Sequence, residues 1–380
     1  MYTSAFDKMT LNNGYQMPPM CVCPAYPKDE DLELYNDDSL KEYFRKEIQF
    51  LMECGYRSFD TCMRGGTEEV LGEMFRETKI PREKLFLTTK VYHSNHGYSK
   101  TLRYVDDTLK RTKLDYIDLF LIHCPVTYRG LYVETFKALT ELYHEGVIKA
   151  VGVSNFSVQH FYDLEQVTDI VPAVNQREQH PFYVRHDLIA YEKKHQIISQ
   201  SYCPLGHGKY SRDKRLEWIA RRHGKSVSQV ILRWHIQKGF MTVTRSTSHK
   251  HTIDNINIFD FALSAEEMAY IETLNRGDRI WHDAVRFPGS CFYEPTQKAF
   301  YEAIARKAKE YCRTRNEWEV LEEKLSTLIE SEDVDGTKDC VIYCFTRAVE
   351  KYGRNPAIPE QAIQEAELLA DEWVRMLLNE

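Results

Sequence analysis

Three ionisable side chains stand at the ends of strand-like runs in the first third of the sequence. Asp60 follows Ser58-Phe59, Lys90 ends the run 85–90, and His123 ends the run 117–123. In proteins that alternate parallel strands with helices, chemistry collects at the carboxyl ends of the strands. We therefore expect a carboxylate, an ammonium and an imidazole to line one rim. These are the residue types that enzymes use to transfer protons.

Strand-like runs and helical patterns alternate around these residues. Eight strands are expected near residues 20–23, 57–60, 85–90, 116–123, 148–153, 172–176, 196–202 and 241–245. Helices are expected near residues 38–54, 67–78, 99–112, 132–145, 157–166, 185–195, 211–237 and 248–257. Such alternation indicates an α/β protein with a parallel sheet, and eight units favour a closed (β/α)8 TIM barrel over an open doubly wound sheet.

The two ends of the chain add to this barrel. Asn13-Gly14 lies between short apolar runs and predicts an N-terminal hairpin with its turn at the glycine. After Pro288 the strand pattern stops, and residues 294–330, 337–352 and 358–378 have helical spacing. We therefore predict a barrel over residues 1–288 and an appended all-α unit over residues 289–380.

Composition limits the partners and the compartment. The net charge is −7, from 50 basic and 57 acidic residues, and the excess acidity lies after Cys291. Neither part has the basic surface typical of a nucleic-acid binder. No apolar run approaches the roughly 18 residues of a membrane span. The ten cysteines are scattered without a Cys-x-x-Cys pair, so we expect free thiols in a reducing cytoplasm and no metal site.

Seven motifs occur in one order along the chain. They are Leu11-Asn12-Asn13-Gly14, Phe59-Asp60-Thr61, Leu85-Phe86-Leu87-Thr88-Thr89-Lys90, Leu121-Ile122-His123-Cys124-Pro125, Gly152-Val153-Ser154-Asn155-Phe156, Val174-Asn175-Gln176 and Tyr202-Cys203-Pro204-Leu205-Gly206. In this order and spacing the sequence resembles the aldo-keto reductase superfamily from residue 9 to roughly residue 280. The resemblance implies a barrel that binds NADPH in extended form across its carboxyl-terminal face.

The resemblance also assigns the nicotinamide end of the cofactor. Ser154, Asn155 and Gln176 would hold the carboxamide, and Tyr202 would stack on the ring. The first strand departs from the family, because Cys21-Val22-Cys23-Pro24 stands where a Gly-x-Gly-Thr run lets the backbone approach the cofactor.

The adenosine end follows the last strand. Arg245 and Ser246 stand where the family keeps a Lys-Ser pair for the 2′-phosphate, and Asp254 and Asn255 would meet the adenine. A cation and a hydroxyl beside a phosphate favour NADP(H) over NAD(H). A family arginine in this loop is His251 here, and the same residues could instead cap a solvated helix.

The proton donor of the family is missing. In the family, a tyrosine five residues after the aspartate protonates the carbonyl oxygen, the lysine paired with that aspartate lowers the tyrosine's pKa, and the histidine orients the substrate. The fifth residue after Asp60 is Gly65, and Glu68-Glu69 fixes the alignment on its other side. The sequence therefore predicts an altered acid–base arrangement.

Three interpretations of the missing tyrosine stay open. Another group could serve as the acid or electrophile, with His123, Arg64, Tyr92, Tyr26 and the C-terminal segment as candidates. Alternatively, the space admits a water or a different substrate, and Lys90 or His123 serves a redox or redox-neutral reaction on bound nicotinamide. In the third interpretation catalysis is lost, and the barrel senses or scaffolds.

We interpret the sequence as an NADP-dependent oxidoreductase that transfers hydride between nicotinamide and an unknown carbonyl or hydroxyl compound. The alternative is a catalytically silent nucleotide-binding or regulatory protein. Family members use their C-terminal loop to wall the substrate pocket, so the long helical extension predicts a small-molecule substrate that it caps, or a larger one such as a peptide or a carrier-bound intermediate. The sequence leaves the oligomeric state open.

Overall fold

Eight parallel strands close into a barrel in the computed structural model, which describes residues 2–27, 37–61, 66–126 and 130–280. The strands are β1 (Met9–Thr10), β2 (Gln16–Met17), β3 (Met20–Val22), β4 (Ser58–Asp60), β5 (Phe86–Val91), β6 (Leu119–Ile122), β7 (Val151–Ser154), β8 (Val174–Glu178), β9 (Ile198–Tyr202) and β10 (Met241–Thr244). The barrel order is β10-β3-β4-β5-β6-β7-β8-β9, so the predicted (β/α)8 barrel is confirmed.

Helices follow the barrel strands along the chain. They are α1 (Asp37–Glu53), α2 (Thr67–Glu77), α3 (Tyr98–Thr112), α4 (Tyr132–His144), α5 (Val158–Glu165), α6 (His186–Lys194), α7 (Lys214–His223), α8 (Val227–Gln237), α9 (His249–Ile256) and α10 (Ala265–Glu272). Within the described ranges, none is long and apolar enough to cross a bilayer.

The barrel belongs to a unit formed by Met1–His123 and Leu131–Ile280. A second unit comprises Cys124–Gly130 and Trp281–Glu380, of which the structure describes residues 124–126 and 130. The predicted all-α unit over residues 289–380 lies outside the described residues and stays a prediction.

The strands form because their residues can be buried on both faces. Every residue of β5 and β6 is buried, as expected for a parallel sheet covered by helices. The core between the barrel and its helices is apolar and aromatic. Phe59 of β4, for example, packs edge-to-face on Phe75 of α2 with ring centroids 5.6 Å apart. Full burial of such a side chain stabilises the fold by about 1.5–3 kcal/mol.

Two strands from opposite ends of the barrel sequence close the sheet. Met20 of β3 pairs with Thr242 of β10, and the parallel register continues through Val22 and Thr244. On its other side β10 pairs with β9. Closure therefore depends on contacts between segments about 220 residues apart in sequence.

The N-terminal hairpin lies against the amino ends of the strands. Strands β1 and β2 pair antiparallel, and Gly14 adopts a φ of 84° at the turn, as predicted. The Asn13 Nδ2 atom donates to Lys149 O at 2.9 Å, just before β7, and Tyr15 Oη donates to Asp118 Oδ1 at 2.7 Å, just before β6. The hairpin thus sits at the end of the barrel opposite the carboxyl ends of the strands.

Helices α2 and α3 approach closely at a glycine. A Cβ atom placed on Gly72 would lie 2.1 Å from the carbonyl oxygen of Thr112, far inside van der Waals contact. Glycine at this helical position therefore permits the packing distance, although glycine costs helix propensity.

Two helix predictions need correction. The pattern over 211–237 predicted one helix, but the structure has two. Helix α7 ends at His223 and is capped by Gly224, which has a φ of 63°, and α8 begins after Ser226. The Ser226 hydroxyl accepts from Gln229 N at 3.2 Å, and Gln229 Oε1 accepts from Ser226 N at 3.0 Å, which forms a capping box. Helix α10 was not predicted, although Ser264 and Glu267 form a second capping box at its start.

Candidate active site

Neighbouring strands deliver the three predicted ionisable residues to one rim. Asp60 is the last residue of β4, Lys90 is the penultimate residue of β5, and His123 directly follows β6. Strands β4, β5 and β6 are adjacent in the barrel. Parallel strands present their carboxyl ends at one edge, so the expectation from sequence that these residues share a rim is met.

A buried ion pair forms the base of the site. Lys90 Nζ donates to Asp60 Oδ1 at 2.5 Å and to Thr61 O at 3.2 Å. The two side chains are only 6% and 7% exposed. On the other carboxylate oxygen, Gln176 Nε2 donates to Asp60 Oδ2 at 2.7 Å, and it also donates to Gln200 Oε1 at 2.8 Å. This network links β4, β5, β8 and β9 across the barrel interior.

The His123 ring lies beside this pair in its neutral form. Burial of the ring, and next the Lys90 ammonium, lower the pKa of His123 to about 3, and His93 and His96 act in the same direction. The Nδ1 atom of His123 is enclosed and has no hydrogen-bond partner within the described part of the chain. The Tyr92 ring packs on the imidazole with centroids 4.8 Å apart. A neutral imidazole at neutral pH can donate a hydrogen bond but carries no charge.

A second hydrogen-bond group joins the ends of β6, β7 and β9. Asn155 directly follows β7 and has a φ of 62°, a left-handed conformation that asparagine tolerates better than most residues. Its Nδ2 atom donates to His123 O and to Ser154 Oγ, both at 3.1 Å. The Tyr202 hydroxyl donates to Asn155 Oδ1 at 2.8 Å. The structure therefore brings Ser154, Asn155 and Tyr202 together.

The residues expected at the adenosine end lie just before α9 and in its last turn. Arg245 follows β10 and is exposed, while Ser246 is partly buried and its hydroxyl accepts from Ser248 N at 3.1 Å. On α9, Asn255 is buried and Asp254 is half-buried. Arg245 is thus an exposed cation four residues before the first residue of α9, and its charge helps to lower the pKa of His207 after burial of that ring.

Two features of the rim and its surroundings were missed from sequence. Phe50 of α1 stacks on His249 of α9 with ring centroids 3.8 Å apart, and His249 Nε2 lies 3.4 Å from Glu47 Oε2. Burial raises the pKa of Glu47, while His249 opposes that rise. No local pattern indicates this contact, because about 200 residues separate the partners in sequence. Gln200 was also missed, although it lies two residues before Tyr202 and so on the same face of β9.

The residues between Asp60-Thr61 and α2 fall partly outside the described ranges. Cys62, Arg64 and Gly65 lie outside the described ranges, so the altered acid–base arrangement that Gly65 indicates stays a prediction from sequence. On β3, Cys21 is fully buried, and burial raises the pKa of its thiol, followed by the Asp60 carboxylate. Within the described ranges, no three His, Cys, Asp or Glu side chains are grouped to hold a metal ion.

Comparison with known proteins decides the family. The model of the Aldo/keto reductase family matches residues 34–276. The chain belongs to this family. The predicted resemblance is therefore confirmed at the level of the superfamily.

The relatives of this aldo/keto reductase family member are reductases. The chain is 38% identical over 280 residues to the glyoxal reductase of Bacillus subtilis (strain 168), with 74% of this chain and 97% of the relative covered. It is 39% identical over 288 residues to the 9,11-endoperoxide prostaglandin H2 reductase of Trypanosoma cruzi (strain CL Brener), with 75% and 97% covered. These relatives support an oxidoreductase.

A solved structure extends the comparison to the cofactor. A mutant of Gox0644 in complex with NADPH matches with a TM-score of 0.67 at 32% identity, covering 74% of this chain and 98% of that chain. That protein binds NADPH, which supports a nicotinamide cofactor for the family member described here.

Proposed function

We propose that this aldo/keto reductase family member reduces a carbonyl compound with NADPH, using an altered acid–base arrangement. The observation that carries the proposal is the buried Asp60–Lys90 pair with a neutral His123 beside it, at the carboxyl ends of adjacent strands. Buried charges are costly to keep, and their collection at the functional rim of a barrel is typical of an active site.

The residues at the rim fit a nicotinamide. Ser154, Asn155 and Gln176 offer a hydroxyl and two amides, the groups that complement the donor and acceptor of a carboxamide. Tyr202 is held by its hydrogen bond to Asn155 and offers an aromatic face for stacking. The bound cofactor would supply a hydride to the carbonyl carbon. The four side chains would hold the ring in place above Asp60.

The loop after β10 would hold the other end of the cofactor. Arg245 and Ser246 would bind the 2′-phosphate of NADP(H), and Asp254 and Asn255 would meet the adenine. The support is an exposed arginine followed in sequence by a serine, in the segment that leads from β10 to α9. We therefore expect NADPH to bind at least about ten-fold more tightly than NADH, and Arg245→Glu to remove this difference. Equal affinity of the wild-type protein for both cofactors would contradict the assignment.

The three ionisable residues would share the chemistry at the carbonyl. Asp60 holds the Lys90 ammonium in place through a short hydrogen bond, so a positive charge stays fixed at the rim where the carbonyl would bind. His123, being neutral, would donate a hydrogen bond to the carbonyl oxygen and orient it. An exposed surface pair could not serve in this way, because water would screen it.

A turnover assay tests the proposal. The wild-type protein is incubated with NADPH and a panel of aldehydes, dicarbonyls, ketones and quinones, and loss of the reduced cofactor is followed by absorbance. We expect Lys90→Met and His123→Asn to lower kcat/KM by at least about 100-fold. Lys110→Met is the matched control, because that lysine pairs with Asp106 on the surface. Undiminished turnover in the two active-site variants would refute the assignment.

The second candidate is a catalytically silent nucleotide-binding or regulatory protein. The feature that favours it is Gly65, which leaves the fifth position after Asp60 without a phenol. If the wild-type protein binds NADPH but turns over no substrate, and Gly65→Tyr gains turnover, the silent protein is the correct reading. Turnover in the wild-type protein rejects it.

The C-terminal extension would set the substrate range. We propose that it caps the pocket over a small carbonyl compound, or recognises a larger one such as a peptide or a carrier-bound intermediate. Deleting residues 291–380 and comparing kcat/KM across the panel tests this. Unchanged substrate preference in a folded truncated protein would overturn the role.

A further inference from the structure

The reduction of a carbonyl needs a proton at the carbonyl oxygen. Several polar groups at this rim already take part in hydrogen bonds with one another. Both oxygens of Asp60 accept hydrogen bonds, from Lys90 and Gln176. The Lys90 ammonium is bound to Asp60 and to Thr61 O. The Tyr202 hydroxyl donates a hydrogen bond to Asn155 Oδ1. His123 is assigned to orienting the carbonyl oxygen, so we look for the proton donor among the side chains that contact His123.

We infer that Tyr92 is the proton donor of the proposed carbonyl reduction, in place of the phenol that Gly65 lacks. The inference rests on the proposed function and adds a catalytic residue to it. It assigns to Tyr92 direct contact with the carbonyl oxygen of the substrate.

Strand geometry puts Tyr92 on the same side as Lys90. Tyr92 directly follows β5 and keeps extended dihedral angles, with φ of −76° and ψ of 154°. Side chains of an extended segment alternate between its two sides, so residues two apart leave it on the same side. Lys90 and Tyr92 therefore both project toward the rim, and a phenol reaches this rim from β5 instead of from the loop after β4.

The contact with His123 places the phenol ring in the reaction zone. The Tyr92 and His123 rings have centroids 4.8 Å apart and are tilted by 58°. Tyr92 is 9% exposed, so the site shields it from bulk water. If His123 orients the carbonyl oxygen, the residue packed on its ring is in position to reach the same oxygen.

Ionisable groups surround the ring on which Tyr92 packs. After burial of the ring, the Lys90 ammonium lowers the pKa of His123, and His93 acts in the same direction. The His93 ring centroid also lies 6.5 Å from that of Tyr92.

The proposed step balances as follows. The Tyr92 O–H bond breaks, and its proton bonds to the carbonyl oxygen as the carbonyl carbon accepts the hydride from NADPH. The π electrons of the C=O bond form the new O–H bond. The carbonyl is thereby reduced to an alcohol, and NADPH is oxidised to NADP⁺. The Tyr92 phenolate then takes a proton from water, which restores the phenol.

The Tyr92→Phe substitution tests the inference, because it removes the hydroxyl and keeps the ring that packs on His123. We expect kcat to fall by at least about 100-fold, the contribution of a positioned general acid. The Kd for NADPH, measured by quenching of protein fluorescence, should stay within about three-fold of wild type. The pH profile of kcat/KM should lose the alkaline decline that comes from ionisation of the phenol.

Tyr98→Phe is the control, because Tyr98 is exposed on α3 and its hydroxyl donates to Glu141. It should leave kcat unchanged. Circular dichroism checks that both variants fold.

The outcomes separate the inference from the function it rests on. Wild-type turnover with an equally active Tyr92→Phe variant overturns the inference and leaves the proposed function standing. An effect on KM alone makes Tyr92 a binding residue and also overturns it. Absence of turnover in the wild-type protein overturns the proposed function and the inference together.

Discussion

Replacing Lys90 by methionine should leave an unpaired carboxylate inside the barrel. Asp60 is 7% exposed on its side chain and loses its partner at 2.5 Å, while Gln176 still donates to its other oxygen. Removing one member of a buried ion pair costs about 3–5 kcal/mol. Since folded domains are stable by about 5–15 kcal/mol in total, Lys90→Met should lose a large fraction of the unfolding free energy.

A double-mutant cycle isolates the pair. Asp60→Asn, Lys90→Met and the double variant are unfolded with urea, and far-UV circular dichroism gives each unfolding free energy. Once both charges are gone, no uncompensated charge stays buried, so the double variant should be more stable than the sum of the single losses by about 2–3 kcal/mol.

The surface pair Lys110–Asp106 is the matched control for this cycle. Its side chains are 68% and 60% exposed, so Lys110→Met should cost no more than about 0.5 kcal/mol. If Lys90→Met unfolds within 1 kcal/mol of wild type, or if the cycle is strictly additive, the reasoning from burial is refuted.

Three further outcomes follow from the described geometry. Asn155→Ala should lower stability by more than Asn155→Gly, by about 1 kcal/mol in urea unfolding, because alanine is strained at a φ of 62° while both lose the Tyr202 contact. Gly72→Ala should lower the unfolding free energy by about 1–3 kcal/mol despite better helix propensity, since its Cβ meets the Thr112 carbonyl; a variant as stable as wild type would contradict the close approach. The pKa of His123 is lowered from 6.5 in the unfolded chain to about 3 in the folded protein. Below pH 6.5 the unfolded state therefore binds one more proton than the folded state. The free energy of unfolding decreases as the pH is lowered, by at most about 1.4 kcal/mol per pH unit. A His123→Asn variant should therefore show a shallower loss between pH 6.5 and pH 5 in urea titrations, and an unchanged slope would contradict the neutral ring.

The sequence placed Asp60, Lys90 and His123 correctly at one rim, because parallel strands leave little freedom. Once these residues end neighbouring strands, the barrel register alone brings them together. The alternation of strands and helices likewise predicted the closed barrel, and the Asn-Gly pair predicted the hairpin. These parts of the fold depend on local sequence patterns.

Contacts between distant segments could not be predicted in this way. The stack of Phe50 on His249 and the hydrogen bond from Gln176 Nε2 to Gln200 Oε1 depend on how distant elements pack, so the sequence does not indicate these partners. The division at Gly224 is different, because a glycine followed by a serine capping box is a readable helix boundary. Helical spacing over 211–237 outweighed that boundary in the sequence interpretation, and the structure corrects it.

Pairing of β3 with β10 has a consequence for synthesis of the chain. In a growing polypeptide that has not yet reached Met241, β3 and β9 each have an unpaired edge, because their shared partner β10 has not been synthesised. Open strand edges recruit other strands. Chains that terminate between β9 and β10 should therefore aggregate unless chaperones bind them. Chains that include β10 can close the barrel and leave no strand edge unpaired.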